Sequence, residues 1–127
     1  MSKSVTIVGI DPQFLNLPAD ALGIDPNLTA ESILAGLERS ANHLRQLGHT
    51  ASIVLTDLGE TAAETLTAAL RETPADVVVI GAGVRIPAKN TVLLEHLVNA
   101  VIEVSPTSRL AFNVAPDDSE VAAERWL

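Results

Sequence analysis

The apolar positions of this chain alternate between two rhythms. Aliphatic and β-branched residues run almost without interruption in SVTIVGI (residues 4–10), TASIVLTD (50–57), DVVVIGA (76–82) and RLAFNVA (109–115), the mark of short strands covered on both faces. Between them the apolar residues recur at helical spacing. Over 30–48 the repeat is Ile33, Leu34, Leu37, Ala41, Leu44 and Leu47, with Thr29 at the N-cap, Glu31 in the first turn and Gly48 as a left-handed stop. Thr61, with Glu64 at capping-box spacing, opens a second helix that carries Leu66, Ala69 and Leu70 and ends at Pro74. Asn90 and Thr91 introduce a third over 92–104, whose predicted buried stripe is Leu94, Leu97, Val98, Val101 and Ile102, closed by Pro106. Asp117 or Asp118 caps a short terminal helix in SEVAAERWL, residues 119–127.

Strands alternating with helices, with strands too apolar to leave a face wet, predict an α/β fold: a three-layer α/β/α sandwich around a four-stranded parallel sheet. Right-handed crossovers make 2-1-3-4 the economical strand order, Rossmann-like or flavodoxin-like, within one domain over 1–127. The winding direction then reverses between strands one and three. Ligands of open α/β sheets bind beyond the carboxyl ends of the strands at such a reversal, so Asp11 and the segment 81–91 are expected to face each other there.

Composition narrows the chemistry. Apolar residues make up 47% of the 127 residues and charged residues 19%, as in a globular chain, and no apolar run reaches the roughly 20 residues of a membrane span. The first residues pass directly into a strand pattern without an export signal, and cysteine is absent, so a cytoplasmic location is expected. Without cysteine or tyrosine there is no thiolate nucleophile, disulfide or phenolic acid to consider. Sixteen carboxylates against eight basic residues, a net charge of −8, produce a field that repels nucleic acid and anionic membranes, and neither is an expected partner.

Against that acidic background, GAGVRIPAKNT (81–91) places Arg85 and Lys89 on the expected ligand-facing turn. Gly81 and Gly83 permit close backbone approach, Arg85 brings a planar fork of donors, and the amides after Asn90 and Thr91 stand at the positive end of a helix. Together with Asp11 and with Asn113 in the last strand, these residues outline a cradle for a phosphate or carboxylate. A purely structural turn fits the same residues, with Arg85 pairing to Asp11 or Asp57. The connection DPQFLNLPADALGIDPNL (11–28) is much longer than an ordinary strand-to-helix loop, and over 12–28 it suits either a lid on that edge or a subunit contact.

Several specific chemistries are absent. Gly9 stands alone after the first strand, and Gly81-Ala82-Gly83 has Ile86 where a dinucleotide fingerprint needs its third glycine. No P-loop, G-x-S-x-G or helical zinc-ligand spacing occurs, and a phospho-receiver resembles the chain only in its βα rhythm, since the third strand ends in Gly-Ala-Gly rather than an acceptor aspartate. No cofactor and no metal site are therefore expected. A metal-assisted hydrolase using Asp11, Asp117 and Asp118 ranks behind the alternatives, because helix capping accounts for the last two. The combination of VVIGAGVR with FNVAPDD and a closing RWL resembles a group of small microbial α/β proteins of unknown function; the resemblance implies the fold and carries over no activity. Two functions remain: a protein that binds a small anionic ligand, with or without catalysis, and a non-catalytic homo-oligomeric interaction module, the latter suggested by two edge strands and by Trp126-Leu127.

Overall fold

The computed structural model describes residues 2–15 and 29–127. Strands β1 (Ser4–Ile10), β2 (Thr50–Thr56), β3 (Val77–Ile80) and β4 (Arg109–Phe112) form one sheet in the order β2-β1-β3-β4. Every pairing is parallel: Ser4 lies beside Thr50 on one side of β1, and Val5 lies beside Val77 on the other. Helices α1 (Ala30–Gln46), α2 (Ala62–Glu72), the single turn α3 (Ala82–Arg85), α4 (Thr91–Val104) and α5 (Ser119–Glu124) complete the fold, with 3-10 turns at Pro12–Phe14, Ala88–Asn90 and Pro116–Asp118. The architecture is flavodoxin-like, as the pattern of apolar runs predicts.

Side-chain alternation along the strands divides the core in two. Val5, Ile7, Val77, Val79 and Ala111 meet α1 and α5 through Leu37, Ala41, Leu44, Ala122 and Ala123. Val8, Ile10, Val78 and Ile80 meet α2 and α4 through Leu66, Leu70, Leu93, Leu97 and Val101. All four residues of β3 are fully buried. At about 1.5–3 kcal/mol for each large aliphatic side chain removed from water, these two central strands anchor the molecule.

Local signals agree with the helix starts and stops in part. Thr29 accepts from the Ser32 amide at 3.1 Å while the Ser32 hydroxyl accepts from the Thr29 amide at 2.8 Å, closing a reciprocal cap, and Gly48 turns the chain out of α1 at φ +92°. At Thr61 the expected capping box does not form. Its hydroxyl donates to Asp57 at 2.7 Å instead, so the start of α2 is held by an aspartate four residues upstream. The helical stripes also shift at their margins: Leu34, Leu47 and Ile102 are exposed, whereas Leu93 and Ala100 are buried on α4. On α1 the apolar arc is trimmed at both ends, and on α4 the buried face is rotated to Leu93, Leu97, Ala100 and Val101.

The two scales of stabilisation separate in urea denaturation. Ile80→Ala, which opens a cavity between β3 and the α2/α4 layer, is expected to lose about 2–5 kcal/mol; Thr29→Ala, which removes an exposed cap, is expected to lose about 1 kcal/mol.

Candidate functional site: the carboxyl edge of the sheet

β1 and β3 lie side by side, so the reversal of winding falls between their carboxyl ends. At the first of these, the Asp11 amide donates to Thr56 O at 2.8 Å and ties the end of β1 to β2. The Asp11 carboxylate turns back on its own chain, accepting from the Gln13 amide and from the Gln13 side chain, each at 3.1 Å. Pro12 is buried in the 3-10 turn that follows, and Leu15 packs at the margin of both core layers. Residues 16–28 of the expected lid lie outside the described residues.

At the end of β3 the Gly81 amide donates to Val8 O at 2.9 Å. A Cβ at Gly81 would stand 3.2 Å from that carbonyl, so this glycine serves the close approach of the turn to β1. Gly83 differs. It sits within α3, and a Cβ there would meet nothing within 4 Å. Val84 anchors the turn in the α2/α4 core layer.

Asn113, 2% exposed, organises the polar groups around α3. The Ala82 amide donates to its Oδ1 at 2.7 Å. Since a main-chain N–H can only donate, the side-chain oxygen must face it, and the amide nitrogen is thereby directed to Ser119 Oγ at 2.8 Å. Ser119, at the start of α5, is fully buried. The main-chain oxygen of Asn113 accepts from Arg85 Nη2, and the Arg85 guanidinium lies over the Phe112 ring with its carbon 5.2 Å from the centroid. Arg85 Nε is buried and has no hydrogen-bond partner among the described residues. Nearby, buried Asn90 donates to Gly83 O at 2.9 Å, and the Thr91 hydroxyl donates to Ala88 O at 2.8 Å. Lys89 closes the Ala88–Asn90 turn at the surface and also has an interaction partner.

Of the residues singled out by sequence, Gly81, Arg85 and Asn113 are joined by hydrogen bonds, the Arg85 amide donating to Gly81 O at 3.3 Å and its guanidinium to Asn113 O, and Asn90 is joined separately to Gly83, with Lys89 and Thr91 on the same 81–91 segment. Asp11 belongs to the β1–β2 side, and among the described residues no hydrogen bond or ion pair joins it to 81–91. Arg85 reaches towards β4, and neither Asp11 nor Asp57 pairs with it. The aspartates after β4 also separate: Asp118 accepts from the Val114 and Ala115 amides at 3.1 Å each and caps the preceding 3-10 turn rather than α5, while Asp117 faces Arg39 of α1 at 4.0 Å.

Sequence reasoning missed Ser119, which nothing but the fold brings to Asn113, and Phe112 as a platform for Arg85. It also missed a polar cleft of 340 Å³ lined by Arg39, Asn42, His43, Gln46, Asp117 and Glu120. There the buried Ser40 hydroxyl donates to Glu120 at 2.5 Å, and His43 approaches Glu124 at 3.4 Å. Comparison with protein-family models, with curated proteins and with solved structures gave no match to this chain.

At the end of β2, Asp57 gathers the Thr61 hydroxyl at 2.7 Å and the Gly59 and Thr61 amides at 3.0 Å each. The Thr61 hydroxyl first, and then the Gly59 amide, hold its carboxyl below the ordinary aspartate value. A carboxyl depressed in the folded state stabilises the protein above its unfolded pKa of about 3.9 and loses that contribution as pH falls through the folded value. Urea midpoints measured from pH 7 down to pH 2 should therefore fall less steeply in Asp57→Asn than in the parent, with the variant already weaker at pH 7.

Proposed function

We propose that the protein binds a small anionic ligand at the carboxyl edge of its sheet, with Arg85 as the principal charged contact. The reading rests on the Arg85 Nε–H, buried and unmatched among the described residues. A buried donor left without an acceptor is unfavourable by about 1–3 kcal/mol. A phosphate or carboxylate that drew the guanidinium off Phe112 would relieve this and engage two of its N–H groups at once. Gly83 supports the same reading: its helical backbone does not require glycine, and the space beside it is open. Lys89, four residues beyond Arg85, adds a second positive charge on the same segment. Asn90, Thr91 and Asn113 stand around the site, each with a polar atom bonded within the protein, while Asp11, also expected here from sequence, stays with Gln13 on the β1–β2 side.

Melting temperature against inorganic phosphate and sulfate, with chloride at matched ionic strength as control, tests this. The oxyanions should raise it progressively, as any ligand of the native state does. Arg85→Met should abolish the rise. Gly83→Ala should melt at or above the parent temperature without anion, since alanine is favoured over glycine in a helix by about 1 kcal/mol, yet respond less to phosphate. An identical oxyanion response in Arg85→Met would refute the reading.

A second reading, a homo-oligomeric interaction module, draws on β4 at the end of the sheet, where Phe112 is 39% and the following Val114 66% exposed. Light scattering decides it, because a strict monomer at micromolar concentration removes it.

A further inference from the structure

We infer that α5 is a latch on the Arg85 site, and that docking of this helix opposes anion binding through Asn113. The inference concerns regulation of the site proposed above and rests on that reading.

Two consecutive carbonyls at the end of β4 are each held by an arginine from a different element. Phe112 O accepts from Arg125 Nη2, just past α5, at 3.0 Å, and Asn113 O accepts from Arg85 Nη2 of α3. The Asn113 side chain bridges the same two elements, bonded to Ala82 of α3 and to Ser119 of α5. α5 is seated on the α1 side of the core by Ala122 and Ala123, both essentially fully buried. With α5 docked, Ser119 and Arg125 therefore fix the backbone at 112–113, and the fixed Asn113 carbonyl is the acceptor that keeps Arg85 over Phe112. In that arrangement Arg85 Nε is sealed from solvent. An anion can take the Nε–H and Nη2–H together only after Arg85 leaves Asn113 O. Releasing Ser119 or Arg125 slackens that carbonyl and makes the departure easier; by thermodynamic reciprocity, drawing Arg85 away loosens α5 by the same factor.

The test uses the full chain and inorganic phosphate. Phosphate affinity is measured by calorimetry, and α5 docking is followed by amide hydrogen exchange over 120–127 and by the emission of Trp126, the single tryptophan. Ser119→Ala should bind phosphate roughly two- to tenfold more tightly than the parent, the scale of one net hydrogen bond. Arg125→Gln, altered at an exposed position, should shift it in the same direction should Ser119→Ala fold poorly. In the parent, phosphate should accelerate exchange over 120–127 and change Trp126 emission with the calorimetric midpoint. Unchanged affinity in both variants, or phosphate binding that leaves exchange over 120–127 untouched, overturns the latch and leaves the anion site standing. Absence of phosphate binding in the parent removes the anion reading instead. The mechanical link is then decided without ligand: Arg85→Met should accelerate exchange over 120–127, and unaltered exchange overturns it.

Discussion

The structure depends on the parallel pairing of β1 with β3, buried on both faces. Neither strand has a solvent side, so the helices on the two faces must each supply a continuous apolar layer. That requirement explains why the strands are nearly unbroken aliphatic runs. It also explains why the winding reverses where it does. With β1 and β3 central, β2 can extend the sheet only on one side and β4 only on the other, and the polar ends of the central strands emerge where the two directions part.

What emerges there is a closely bonded group of polar side chains. Asn113 takes the first amide of α3, Asn90 takes the Gly83 carbonyl, and Gly81 lets the turn lie against Val8. Low accessibility makes each of these bonds consequential, because a buried amide without a partner is costly to leave. Most of the polar capacity is thus engaged within the fold, and the surplus resides in the Arg85 guanidinium. That guanidinium is held from two sides, by the Asn113 carbonyl and by the Phe112 ring, with its Nε–H left over.

Strand order and the two core layers were legible in the sequence because both follow from periodicity and the handedness of crossovers, which are local or nearly so. The limits of each helical stripe were less so: on α1 Leu34 is exposed beside buried Ile33, on α4 Leu93 is buried although the predicted stripe began at Leu94, and only packing decides which is covered. The edge shows a sharper boundary. Gly81 and Arg85 advertised themselves by composition and by their place after β3, but the only partners within the protein that the sequence offered Arg85 were aspartates, in the structural-turn alternative. Charge alone favoured Asp11 or Asp57, yet Asp57 had nearer donors in Thr61 and Gly59, Asp11 had Gln13, and the main-chain carbonyl of Asn113, just past β4, was left for the guanidinium. Carbonyls carry no residue-type signal, so such a contact cannot be read from sequence. Ser119 was invisible for a related reason, being an ordinary helix-start serine until the fold brings Asn113 beside it.

The Arg125 contact bears on assembly as well. The Arg109 amide bonds to Asp76 at the amino end of β3, so by alternation along the strand the Phe112 carbonyl points away from the sheet, and Arg125 covers it from outside. One outward acceptor of this edge strand is therefore taken by a residue that follows it in the chain. An edge strand whose outward carbonyl is already taken by an arginine of its own chain offers one acceptor fewer to a strand of another molecule.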